Sequence, residues 1–196
     1  MADELLTELA PLLAEDGIDL NDPPDLDVFQ AALARAMERR NMALFTPIGA
    51  RREVAAAALT GVVTAIAAGK NQDAATRLER IVPESATGRE AEISAVMGLG
   101  LGLLDGWLTD PTNPTPAGLT KGVRLPEGQW FGQRAATEIL ALAGRGRASG
   151  SLGALITGQG SHQTLAGTAL ATTAVLTAWA NLSGEPFERL ARRQIH

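Results

Sequence analysis

The chain contains no cysteine, which excludes disulfides, a thiolate nucleophile and zinc–thiolate coordination. Its two histidines, His162 and His196, are too few for a multi-histidine centre, and no Glu-x-x-His spacing occurs, so no metal site is expected. Lysine is nearly absent as well: Lys70 and Lys121 stand alone among 17 basic residues. Neither a concentrated basic face nor a basic helix-turn-helix near either end is visible, so nucleic acid is not expected as a partner. Aromatics make up 4% of the residues, and the adjacent pair Trp130–Phe131 stands out against that scarcity. Finally, no Asp, Glu, Lys or Arg occurs from 148 to 184.

What is present reads as an ordinary folded protein. At 196 residues, 45% apolar and 20% charged, the chain is long enough for one substantial core and unlike a disordered segment. The opening MADELLTEL is acidic where a secretory leader needs a basic start, so a cytoplasmic protein is expected. The net charge of −5 conceals an asymmetry: residues 1–30 hold nine of the 22 acids and no base, leaving 31–196 at +4. An acidic arm beside a basic body suggests that the arm folds back on Arg35, Arg39, Arg40, Arg51 and Arg52, the plainer alternative being a solvated acidic helix.

Helical periodicity recurs throughout, and convincing period-two strands are missing. Leu5, Leu6, Leu9, Leu12 and Leu13 mark a first helix with Pro11 in its middle. Asp25 caps a second through Phe45, its inner face Val28, Phe29, Leu33, Met37 and Leu44. Thr46–Pro47 starts a third that Gly69 stops. A short helix over 72–82 precedes Pro83, and Thr87 with Glu90 has the spacing of a capping box that launches a helix to Leu108. The Pro- and Gly-rich loop 109–128 follows, then helices over 128–143, 151–158 and 161–182 and a short final one. A faint echo pairs 62–81 with 175–195, best explained by chance Ala/Thr similarity. The expectation is all-α: a single-domain bundle of about eight helices, with an acidic helical arm over 1–24 and an all-helical body over 25–196.

Three rows of small residues recur every three or four positions: Gly98, Gly102 and Gly106; Ala57, Gly61 and Ala65; and Gly167, Ala171, Ala174 and Ala178. Glycine inside a helix costs roughly 1 kcal/mol against alanine, and close approach of a neighbouring helix offsets that cost. These helices are therefore expected to be central and tightly packed. Similar rows occur in membranes, and 164–182 is long enough to span one. The five threonines and Asn181 in that stretch favour the buried centre of a soluble bundle instead.

Candidate sites cluster late in the chain. In GRGRASGSLGALITGQGSHQTLAG (144–167), Ser149 replaces the third glycine of a dinucleotide fingerprint, and no strand precedes it. At Gly69-Lys70 a phosphate loop fails too, since Asn71 follows and Thr64 stands where the first glycine belongs. What remains is two helix starts, near Ser149–Ser151 and Ser161, whose free N–H groups attract anions, with Arg145 and Arg147 upstream. Simple N-caps are the alternative. His162 opens the charge-free helix, where its imidazole is a candidate for binding a ligand or transferring a proton, a surface or hydrogen-bonded residue being the plainer alternative. Asp105 lies in a last turn that disfavours its charge, so it needs a partner, either an arginine such as Arg134 or a ligand. Trp130, flanked by Arg124 and Arg134, either locks the long loop down or lines a pocket.

Asp105, Trp130, Arg134, Arg145, Arg147, Ser161 and His162 are thus the candidate ligand-binding residues, and no cofactor is identified. The function that fits best is a non-catalytic binding or regulatory module for a small molecule or protein partner, with a homodimer among its conceivable forms. One alternative is an enzyme with its site under the 109–128 loop, using Asp105, Arg134 and His162. The other is a membrane-associated helical protein.

Overall fold

Residues 2–20, 24–81, 90–112 and 115–196 are described by the computed structural model, and among them the fold is all-α, with no strand. The Thr87–Glu90 capping box lies outside the described residues. The chain divides into two compact units, 1–45 and 46–196.

The first unit is a helical hairpin of α1 (Ala2–Glu15) and α2 (Leu26–Phe45). Leu9 and Leu13 of α1 are fully buried over Ala32 and Ala36 of α2, with Ile18 beside them and Leu12, Phe29 and Leu33 partly covered. Against the expected inner face, Val28 and Met37 are exposed. The small side chains of Ala32 and Ala36 let the α1 leucines seat closely, so the apolar row that turns inward runs through the alanines. The acidic arm folds onto three of the five arginines expected to receive it, Arg51 and Arg52 belonging to the second unit. Arg35 Nε and Arg39 Nη1 reach the two oxygens of Asp16 at 3.2 and 3.1 Å, and Arg40 Nη2 reaches Glu8 at 2.7 Å. Arg39 also donates to the Leu12 carbonyl near the end of α1, where helix carbonyls lack intrahelical donors.

The second unit contains α3 (Gly49–Ala67), α4 (Asn71–Ile81), α5 (Glu90–Thr109), α6 (Leu119–Gly122), α7 (Gln133–Ala143), α8 (Leu152–Gln159), α9 (Ser161–Ser183) and α10 (Phe187–Ile195). A 3-10 turn, Ser149–Ser151, leads into α8. At its centre is α9, in contact with α3, α5, α6, α7, α8 and α10. Every residue from Thr164 to Leu176 is buried, and each leucine among them contributes about 1.5–3 kcal/mol through burial. Thr164, Thr168 and Thr173 donate their hydroxyls to the carbonyls four residues back, which satisfies them without leaving the helix. Trp107 of α5 meets Trp179 of α9 edge-on, centroids 6.0 Å apart. By length and hydropathy α9 could cross a membrane, but 78% of its most apolar window is covered within the structure.

The small-residue rows behave differently from one another. Gly167 is the contact point of α7 and α9: a Cβ there would lie 2.5 Å from Ala135 Cβ and 2.8 Å from the Ala136 nitrogen. On α5 the expected row holds only at its start, where Gly98 is buried, and is corrected beyond it. Gly102 is exposed and open, whereas a Cβ on Gly100 would lie 2.5 Å from Thr168 Cγ2. A four-residue repeat drifts about 40° per step around a helix of 3.6 residues per turn, so the row leaves the interface. The buried line instead runs through Met97, Gly100, Leu101, Leu104 and Trp107.

Two helix starts also shift, and one cap changes. Helix α3 begins at Gly49 with Ile48 at its cap and no side-chain cap bond, so Thr46 does not cap it. Helix α9 begins at Ser161 itself, with Gly160 at the cap; Ser161 is the first helical residue rather than an N-cap. Helix α7 begins at Gln133, five residues later than expected, because Gly132 turns through φ +83° against the Gly167 amide and the Gln163 carbonyl. The Gly69 stop is confirmed: its φ is +67°, and Lys70 N donates back to the Ala65 carbonyl at 2.9 Å, a six-to-one bond that closes the helix end.

Candidate functional site

The residues expected to bind a ligand fall at opposite ends of α7. At its C-terminal end, Asp105 turns to the chain after α7. Its Oδ1 accepts the Ala148 amide at 2.9 Å, and its Oδ2 accepts the Ser149 amide at 2.9 Å and hydroxyl at 2.6 Å. The partner Asp105 needs is supplied within the chain by two backbone amides and the Ser149 hydroxyl, in place of Arg134. The helix start once read as open to anions near Ser149–Ser151 is closed by the protein's own carboxylate, which answers those N–H groups as an N-cap side chain would, from 43 residues away. Arg145 and Arg147 flank this turn, exposed. Gly146 lies against Thr109, at the C-terminal end of α5.

At the other end of α7, about 16 Å away for eleven helical residues, lie Trp130 and the exposed Arg134. The half-buried Trp130 indole donates to the Glu127 carbonyl at 3.0 Å, and its ring borders a cavity of ≈ 290 Å³ with Ile66, Leu78 and Leu170. Phe131 is 63% exposed at its rim. The start of α7 adjoins Gln163 and Gly167, one turn from the exposed His162. Trp130 thus shapes a pocket wall while holding its own loop in a turn.

A larger cleft, ≈ 460 Å³, opens over α3. Its floor is the small-residue row Ala57, Gly61, Ala65 together with Thr60, Thr64 and Ala68. That row was expected to carry a neighbouring helix. It does so only in part: Ala65 is buried and Arg77 of α4 lies over Gly61, while Leu59, Val62, Val63 and Ile66 are buried on the other side of α3, leaving Ala57, Thr60, Thr64 and Ala68 as an open bed. One wall is α4, with Lys70, Asp73 and Arg77; the other is α10, with Glu188, Arg192 and His196. Arg77 Nε donates to Asp73 at 3.0 Å. Its guanidinium lies across Gly61, where a Cβ would come within 2.9 Å of Nη1. Beyond Arg77 the floor continues into a second hollow of ≈ 270 Å³ bordered by Val54, Ala58 and Ile81. The far wall is pinned by Arg52, which donates to the His196 carbonyl at 2.8 Å, and by Thr60 Oγ1, 3.4 Å from His196 Nε2.

Sequence reasoning missed this cleft. The signals present were the Ala57–Gly61–Ala65 row, read as a packing face, and the echo between 62–81 and 175–195, whose two amphipathic segments are the helices that wall it. Among the described residues no group of three acidic or imidazole side chains is placed to hold a metal ion. The class the fold defines is an all-α protein built around one buried helix in its larger unit. Compared with protein-family models, curated proteins and solved structures, the chain matches none.

Proposed function

We propose that the chain is a non-catalytic binding or regulatory module, and that its larger unit takes up a small ligand in the cleft over α3. The observation that carries this reading is the cleft itself: a bed of alanines and glycine between two walls bearing Lys70, Arg77 and Arg192. Small-molecule sites are concave, about 300–1,000 Å³, and combine an apolar lining with a few placed polar groups. The polar groups here are held by other parts of the protein, Arg77 by Asp73 and α10 by Arg52, which supports preorganisation. Asp105, by contrast, is occupied by backbone amides, which supports an anchoring role for it.

The test is thermal melting of the full chain against a metabolite panel, alongside Ala57→Phe. Ala57 is exposed on the floor, so a phenyl ring there fills the cleft without entering the core. A compound that raises the melting temperature of the wild type should lose its effect in Ala57→Phe while the ligand-free melt stays near wild type. An undiminished shift in the filled variant would move the site elsewhere.

A further inference from the structure

We infer that the cleft over α3 selects a small carboxylate, its head group between Lys70, just before α4, and Arg192 of α10, and its apolar body on the floor of Thr64, Ala65 and Ala68 beside Arg77. This rests on the reading of the cleft as the binding site and adds the chemical class of what it takes.

Five formal charges line the cleft: Lys70, Arg77 and Arg192 against Asp73 and Glu188. Among these side chains the balance is one positive charge. Arg77 is already engaged by Asp73 at 3.0 Å and sets its Nη1 over Gly61, so it shapes the bed. Lys70 and Arg192 are exposed cations on facing walls. Glu188 stands one turn from Arg192 on α10, yet among the described residues the two form no ion pair. Lys70 directly precedes α4, whose amino-terminal end adds positive potential on the same side.

That balance discriminates among ligands. A monocarboxylate matches the single excess charge. A phosphate monoester, at about −1.5 to −2, overshoots it beside two acids, and an ammonium meets the exposed cations Lys70 and Arg192. The floor sets the rest: it offers only methyl groups, a glycine and two threonines, so a flat or slender apolar body can lie on it. Any longer floor side chain would occupy the space.

The experiment titrates the isotope-labelled full chain at low salt with four matched probes, 3-phenylpropionate, 3-phenylpropyl phosphate, 3-phenylpropanamide and 3-phenylpropylammonium, reading the Gly61 and Ala65 amide shifts. The carboxylate should move both amides and bind at least about tenfold more tightly than the neutral amide, with affinity falling as salt rises. Lys70→Gln and Arg192→Gln should each weaken it by about three- to tenfold with the folded spectrum kept; both side chains are exposed, and Ala57→Phe supplies a second, charge-neutral block. Equal or tighter binding of the amide or the ammonium at Gly61 overturns the carboxylate and leaves the cleft as a binding site. Tighter binding of the phosphate overturns it in favour of a dianion. If none of the four moves either amide, both the class and the reading of the cleft fall.

Discussion

Ser149 gives both its amide and its hydroxyl to a single oxygen of Asp105, at 2.9 and 2.6 Å, while the other oxygen holds the Ala148 amide. One carboxylate near the end of α5 thereby supplies the cap for the turn that leads into α8. Helix starts leave N–H groups without intrahelical partners, and bonds to a charged acceptor are the stronger kind.

Asp105→Ala should therefore cost about 1–3 kcal/mol of stability. Asp105→Asn should lose much of the same, since its amide nitrogen would face donors. Urea unfolding of both variants followed by circular dichroism measures this. Midpoints equal to wild type would show that water serves the Ala148 and Ser149 amides equally well.

Two neighbouring glycines of α5 should respond in opposite directions to the same change. Gly102→Ala meets nothing within 4 Å and removes a helix-interior glycine, so it should stabilise by roughly 0.5–1 kcal/mol. Gly100→Ala would force its methyl to 2.5 Å from Thr168 Cγ2, on a side chain already bonded to the Thr164 carbonyl. Overpacking of this kind costs about 1–3 kcal/mol. Melting temperatures of the pair should diverge in sign, and a shared sign would refute the register of α5 against α9.

The helical hairpin should weaken in acid. The Arg40 hydrogen bond holds the Glu8 carboxyl below its ordinary range, and Arg39 first, then Arg35, do the same for Asp16. With both values depressed on folding, the folded hairpin binds fewer protons than the unfolded chain. The stabilisation is full above the ordinary carboxyl pKa, about 4, and disappears as pH falls through the lower folded values. Carboxyl carbon shifts should titrate below those of the solvated acids, and α1–α2 resonances should melt in the same interval. Solvent reaches at least one partner of each ion pair, so about 0.5 M salt should mimic part of the effect. Unchanged hairpin signals down to pH 2 would be the contrary result.

Much of the architecture could be read from local pattern. The charge-free run from 148 to 184 marks α9, Gly69 marks the end of α3, and the acidic start against Arg35, Arg39 and Arg40 marks the ion pairs of the hairpin. These are short-range periodicities or gross charge imbalance, which survive without knowledge of the fold. What failed needed tertiary placement. A glycine every fourth residue on α5 looks like a face, but which side meets α9 depends on its buried line of larger side chains. The Asp105 cap joins positions 43 residues apart. The cleft joins Lys70 and Arg77 to Arg192 across most of the chain, and no spacing rule connects α4 to α10 before both are laid on α3.

The central position of α9 also orders how the larger unit comes into being. Its partners α3 and α5 are synthesised well before it, and although they pack on each other and α3 on α4, the sides that face α9 stay uncovered until residues 161–183 emerge. Neither can be sheltered early by its own neighbourhood alone, and compaction has to wait for a late arrival. During that interval the nascent chain is a client for whatever shields exposed apolar surface in the cell.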